Sequence, residues 1–496
     1  MHAGRPAHDA SLIGFEVMLG SRSMHGRSEA RERSHGELLA LAYRSLEREH
    51  GFEPLRVEGR IPQDLQGTLY FVGPACFDNH GRSYEHWFDC DGAITALRFE
   101  QGDAVGAVRL IEGPQRRLER AAGRALFSSG ATPGPSVWRR LGGRTKNTAN
   151  VNTIVCDDRL LTLGDAYRPF EIDPDELTVR AETDLHGGLR SSLNAHYRTI
   201  ASQGRRLGTA LEYGRRTVLR ILELPEHAPP RELTRIQLRS GTVMLHDLAV
   251  TERHLLLFVA PLRLSMPHVL LGLRAPLESM QWNPEEGSEV IVIPLDRPDR
   301  PTRFRTSAFF HFHFVNAFDD GDDIVADLVW YPDFAIFDHL RFDRRFVSNA
   351  RARPHGIVRR ARVRPAREAV ELETLSAAPS EFPRTGAPTS GRRHRYAWLS
   401  GARDLDALPT VCRLDCDDGS LQVAPLGPER IAGEGVPIAR SDAELHGWIC
   451  TLVYDVETDR SHLAILDGTA PEAGPVARLW FEQRIPPPLH GNWYPR

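Results

Sequence analysis

Among the 21 histidines of this 496-residue chain, a few stand apart because each lies at the edge of an apolar, strand-like run. His196 closes Leu193-Asn-Ala-His196, and His246 closes Met244-Leu-His246 just before Asp247. A third place, His311-Phe-His313-Phe-Val-Asn316-Ala317, offers two rings, and Pro488-Leu-His490-Gly491-Asn-Trp493 supplies the last. Neutral imidazole suits zinc, copper, iron and nickel, so rings carried to one point would hold a single transition metal. These segments are far apart in the chain. Such a site therefore needs a fold that returns distant strand ends to one axis.

The rest of the chain has the grammar for that. Residues 152–155, a turn at 157–159 and residues 160–163 read as a hairpin. So do 247–250 with 255–260, 314–317 with 324–330, and 448–454 with 463–466, each pair joined by an Asp-, Arg- or Gly-containing turn. Short apolar or alternating runs bounded by turn residues are strands. Blocks of roughly 50–60 residues with several strands each suit a propeller better than a sandwich. A helix is expected over 36–50, where Leu38, Leu39, Ala42 and Leu46 share one side. Residues 1–35 lack apolar periodicity and read as a flexible extension, leaving 36–496 as a single domain. The basic stretch 351–367 reads as a solvated loop or edge, and 261–282 as an apolar, proline-punctuated interruption.

Composition narrows the function classes. Hydrophobic residues at 41%, charged residues at 26% and a net charge of −4 describe a globular chain without a basic surface for nucleic acid. No apolar run reaches the roughly 18 residues of a membrane-spanning helix, and Glu16 interrupts the apolar core a secretory leader would need. Six scattered cysteines are too few for a disulfide scaffold, and Cys412 and Cys416 match no zinc spacing. A reducing cytoplasm is the expected compartment. No nucleophile elbow, phosphate loop or dinucleotide fingerprint occurs. Of 62 basic residues only Lys146 is a lysine, which a coding bias explains.

Together with their surroundings, these segments resemble the carotenoid cleavage oxygenases, iron(II) enzymes that split alkenes with dioxygen. The likeness runs from about residue 62 to the last residue. Gly67-Thr-Leu-Tyr-Phe-Val-Gly73-Pro74 is similar to the family's entry strand. His86-Trp-Phe-Asp-Cys90-Asp91-Gly92 resembles its HWFDGDG signature, with Cys90 in place of a glycine. Asn147-Thr-Ala-Asn150 followed by 160–163 resembles the next blade, and the His313 and His490 segments resemble the third and closing ligand motifs. The resemblance implies an all-β fold: a seven-bladed β-propeller with a cap of long loops and short helices over an axial metal. It also implies one Fe(2+) per chain, held by His196, His246, His313 and His490, with dioxygen as co-substrate. The family's ligand stands three residues before Asn316, which selects His313 over His311. His86 and His446 are expected to be structural.

In the family, glutamates accept the second N–H of three ligand histidines, which orients the rings and raises their basicity. Glu381, in Ser380-Glu-Phe-Pro-Arg384, matches one such position, and Glu434, in Gly433-Glu-Gly-Val436, another, with Gly435 where proline is usual. At the third, the family's Leu-Trp-Glu is here Leu163-Gly164-Asp165. An aspartate falls short by about 1.5 Å, so the backbone must move in, a water must bridge, or the ring is held less firmly.

The implied reaction is cleavage of a conjugated double bond in a carotenoid or apocarotenoid to aldehyde or ketone products. One branch of the family cleaves stilbenes, gripping a phenol with a tyrosine and a lysine. Gly106 stands near that tyrosine position and Lys146 is out of register with that lysine, so an apolar polyene is favoured. The alternatives are a lignostilbene-type dioxygenase, an isomerase or isomerising hydrolase, and a non-cleaving binding member of the fold. The segment 261–273 lies where the family has an apolar, membrane-touching patch, which gives Met266, Val269, Leu270 and Leu271 an expected interfacial role.

Overall fold

The computed structural model describes residues 34–140, 145–213, 217–238, 244–345 and 353–496. The expected extension over 1–35 thus lies almost wholly outside the described residues.

Strands dominate, and they gather into a seven-bladed β-propeller of antiparallel sheets. The hairpins legible in the sequence are its building units: Asn152–Cys156 with Arg159–Leu163, Ala249–Val250 with His254–Val259, Phe310–Asp320 with Asp323–Tyr331, and Gly447–Asp455 with Arg460–Asp467. Blades stack face to face, so their middle strands are buried on both sides and read as continuous apolar runs. His254–Val259, sequence HLLLFV, is one such strand, packed against Leu219, Ile291 and Ile293.

Both chain ends close the ring. The C-terminal strand His490–Pro495 completes the first blade by pairing with Gly67–Cys76, placing His490 opposite Val72. Arg56–Gly59, near the N-terminus, completes the last blade against Pro475–Trp480. The ring is therefore latched twice, and the closing histidine sits on the latch itself. Gly73 and Gly491 make this closure possible: a Cβ at Gly73 would meet Pro488 Cα at 2.5 Å, and one at Gly491 the Phe71 ring at 2.5 Å.

Two local expectations change. The helix covers only His35–Ala42, started by a capping box between Ser34 and Glu37. Beyond it, Leu46 N–H bonds the Ala75 carbonyl and His50–Pro54 pairs with Asp103–Leu110, so contacts to the first blade outweigh helical periodicity. The basic stretch is not a solvated loop. Ile357–Arg364 is the third strand of its blade, paired on both sides. Its charge is answered across the sheet: Arg360 donates to both Asp327 oxygens at 2.8 Å, and Arg362 to Asp320 at 2.8 Å.

The cap over one face is built from loops, a ribbon of Leu262–Leu264 with Met280–Trp282, and short helices such as Met266–Leu270 and Ala335–His339. Among the described residues, no helix is long and apolar enough to cross a membrane.

Candidate metal centre

The inner ends of four blades deliver one histidine each. His196 immediately precedes Tyr197–Ile200, His246 lies three residues before Ala249–Val250, His313 is within Phe310–Asp320, and His490 opens the final strand. Side-chain nitrogens of all four lie within 4.8 Å of one another. Ring centroids are 4.4 Å apart for His196 and His246, 4.5 Å for His196 and His490, and 5.0 Å for His246 and His313. His311 lies outside this group, against Phe258, Phe309 and Phe314. His86 is elsewhere too, accepting from Phe88 N–H through Nδ1 and facing the Phe337 carbonyl through Nε2 at 3.0 Å.

Three of the rings meet a carboxylate through Nδ1. The distances are 2.5 Å from His246 to Asp165, 2.5 Å from His313 to Glu381, and 3.0 Å from His490 to Glu434. A carboxylate only accepts, so each Nδ1 carries the hydrogen and each Nε2 keeps its lone pair for the shared centre. Each carboxylate is itself held. Glu381 accepts from Phe382 N–H at 2.7 Å and from the Tyr331 hydroxyl at 2.9 Å; Glu434 accepts from Gly491 N–H at 2.8 Å. Asp165 reaches His246 directly, without a bridge. Its other oxygen accepts the N–H of Ala195, the residue before His196, at 3.0 Å. One short carboxylate thus touches two of the four segments.

The electrostatics follow from burial and these partners. Burial drives the His196 pKa well below its ordinary value, reinforced by the other three rings. Burial also takes His490 down to about 4, with Glu434 opposing it and the His313 ring and Arg384 adding to it. For His246 burial is outweighed by Asp165, and the net shift is upward. Burial opposes the charge of Glu381 and Glu434, but His313 in the first case and Arg384 with His490 in the second hold both below the usual carboxylate range.

Among the described residues no carboxylate pairs with His196, and its Nε2 is a buried nitrogen without a hydrogen-bond partner. An orphaned nitrogen beside three oriented imidazoles fits a bound divalent transition metal. A second buried group, Asp327, His394 and Cys416, does not fit one, since Arg360 and His394 occupy the Asp327 carboxylate.

Three of the four histidines, His246, His313 and His490, border a cavity of about 620 Å³. Its walls include Phe88, Val151, Leu277, Met280, Phe312, Ile336 and Phe382, with Gly164 where the family's tryptophan would stand. Phe312 is 5.5 Å from His246 between ring centroids, and Phe382 is 5.5 Å from His313 and 5.4 Å from His490. Phe382 takes φ +50°, a region that bulky residues avoid. Strain of this kind persists where the surroundings overdetermine it, and here it accompanies a ring beside two histidines.

Lys146 also borders the cavity, but its ammonium is fully engaged: 2.8 Å from Asp91, 2.8 Å from Glu119 and 2.6 Å from the Tyr84 hydroxyl. Gly106 packs against Leu55 and Phe481. Lys146→Met is expected to cost roughly 3–5 kcal/mol, because Glu119 would remain as a buried charge without its cation. Chemical denaturation checks this, and an unchanged midpoint would show that the lysine is dispensable to the fold. Tyr331, Phe382, Arg198 and Asp247 escaped sequence reasoning; only the position of Asp247 beside a ligand-like histidine hinted at a role.

Comparison with known proteins agrees with this architecture. The family model described as retinal pigment epithelial membrane protein matches residues 43–495. Apocarotenoid-15,15'-oxygenase of Synechocystis is 29% identical over 91% of this chain and 95% of its own length. Isoeugenol monooxygenase of Pseudomonas putida is 26% identical over 88% and 94%. The crystal structure of the cobalt-substituted Synechocystis enzyme superimposes with a TM-score of 0.86 at 27% identity, covering 94% of this chain and all of that one. With its propeller, its axial histidines and a family match over nearly its whole length, the chain belongs to the retinal pigment epithelial membrane protein family, the carotenoid cleavage oxygenases.

Proposed function

We propose that this chain is a non-haem iron(II) dioxygenase that cleaves a conjugated C=C bond of a carotenoid or apocarotenoid, one O2 and one alkene giving two carbonyl products. The observation that carries the reading is a four-imidazole centre opening onto an apolar, aromatic-walled cavity. His196, His246, His313 and His490 would hold the iron. Iron(II), when bound there, supplies the redox chemistry that brings dioxygen to an electron-rich alkene. The chain's own part is positional. Asp165, Glu381 and Glu434 accept Nδ1–H and keep Nε2 aimed inward. Four neutral ligands leave the metal's charge intact. Phe88, Phe312 and Phe382 exclude water and confine a flat polyene.

A phenolic alkene fits less well, because the only lysine is committed to Asp91, Glu119 and Tyr84 and so cannot also grip a phenolate. The deciding experiment mixes iron-loaded protein, prepared without oxygen, with labelled dioxygen and a panel of carotenoids, apocarotenals and stilbenes. The expected result is labelled aldehydes from polyenes. Unlabelled products would indicate a hydrolase or isomerase, and cleavage of stilbenes alone would overturn the substrate class.

We also propose that the substrate enters from a lipid surface at the segment 261–273. Leu270, Leu271 and Leu273 are 50%, 57% and 62% exposed, and Leu270 also borders the cavity. Val269, expected at the interface, is instead buried and lines the cavity, and the Met266 side chain lies outside the described residues. Replacing Leu270 and Leu271 by serine is expected to weaken liposome association by about tenfold or more, at 1.5–3 kcal/mol for each fully buried leucine. Undiminished flotation with liposomes would dispose of the idea.

A further inference from the structure

We propose that Arg198 and Asp247 are positioning residues that hold three of the four histidine segments in register before a metal binds; this rests on the metal-centre reading above. Asp247 follows His246 and is buried at 1% exposure. It accepts from the N–H of Phe314, the residue after His313, at 2.8 Å. Arg198 stands two residues after His196. It forms a short bond to Asp247 through Nη2, donates to the same carboxylate through Nε at 3.2 Å, and donates to the Phe314 carbonyl at 2.7 Å. The carboxylate and the guanidinium therefore hold the N–H and the carbonyl of Phe314, the two peptide groups that flank its Cα. Three blades are tied together through atoms one or two residues from a histidine, with no imidazole consumed.

Three asparagines and one further arginine extend the ring. Asn194 donates to the Leu245 carbonyl, just before His246, at 2.9 Å. Asn492, two residues after His490, donates at 2.6 Å to Asn152, which donates at 2.9 Å to the Ala195 carbonyl, just before His196. Arg384, on the strand that carries Glu381, donates to the Gly491 carbonyl at 2.9 Å. The His490, His196 and His246 segments are thereby bonded in turn, and the His490 segment reaches that of His313 through the strand of Arg384 and Glu381, whose carboxylate meets the His313 ring.

A buried ion pair is weak evidence for stability, since well-packed apolar side chains often serve as well. What apolar packing lacks is direction. Charge-assisted, forked bonds to a peptide fix a strand's position to a fraction of an ångström. A centre arranged in advance avoids the ordering cost of assembling four ligands on binding.

The test compares wild type with Arg198→Lys, which keeps the charge but loses the fork, and Asp247→Asn. Each protein is purified as holoprotein, stripped, and titrated with Co(II) as the probe, read by its ligand-field spectrum. Melting of the metal-free form is measured in parallel. The expected outcome is folded variants with Co(II) affinity reduced by about 10–100-fold, the usual loss on removing an outer hydrogen-bonding partner, and with shifted bands. Lower melting with unchanged affinity and spectrum would mark the pair as merely structural and overturn the proposal. If both variants fail to fold, Asn152→Ala, which removes a neutral link of the same ring, decides: a weaker, shifted site supports the ring, and an unchanged one overturns it. Failure of wild type to take up one Co(II) would instead overturn the metal-centre reading beneath it.

Discussion

A His490→Ala protein is expected to purify without stoichiometric iron and without alkene-cleaving activity. His490 is 3% exposed, its Nδ1 is bonded to Glu434, and its ring lies 4.5 Å from that of His196. Its removal frees one Glu434 oxygen, while the other stays bonded to Gly491 N–H. Removing the ring leaves three imidazoles and a buried carboxylate without its partner, so affinity and geometry fail together. The same outcome is expected at His196, His246 and His313. Metal analysis of the purified variant is the check, and full iron loading in His490→Ala would sink the ligand assignment.

The second large effect is expected at Asp165. Asp165→Ala removes the acceptor of His246 Nδ1–H and also orphans the Ala195 N–H beside His196. Loss of an outer partner usually costs about 10–100-fold in metal affinity or activity, and the double contact places Asp165 toward the upper end of that range. Asn at the same position is expected to recover much of the loss, since its amide oxygen can still accept one of the two hydrogens. Iron affinity and turnover measured side by side test this. An alanine variant equal to wild type in both would show that the carboxylate plays no part in holding the centre.

These cases divide cleanly by what a one-dimensional string can encode. Strand and turn identity depends on period-two runs and on Asp, Gly and Asn at their ends, all local, so the hairpins at 152–163 and 447–467 were legible. The helix at His35–Ala42 was legible at its start, where Ser34 and Glu37 form a local cap, and not at its end, where the first blade competes for His50–Pro54. The arginine strand is not legible, because its acids, Asp320, Asp323 and Asp327, lie on two other strands of its blade.

The same division runs through the centre. By itself the sequence determined the blade count through the family its ordered motifs resemble, the four histidine positions, and the register that favours His313 over His311. Only the tertiary structure decided that Asp165 reaches His246 without a bridge, that Val269 turns inward while Leu270 and Leu271 face out, and that Arg198 clamps Asp247 and Phe314. The physical reason is reach. Hydrogen bonds form or fail over a few tenths of an ångström, and displacements of that size come from packing between blades, which no local stretch of residues records.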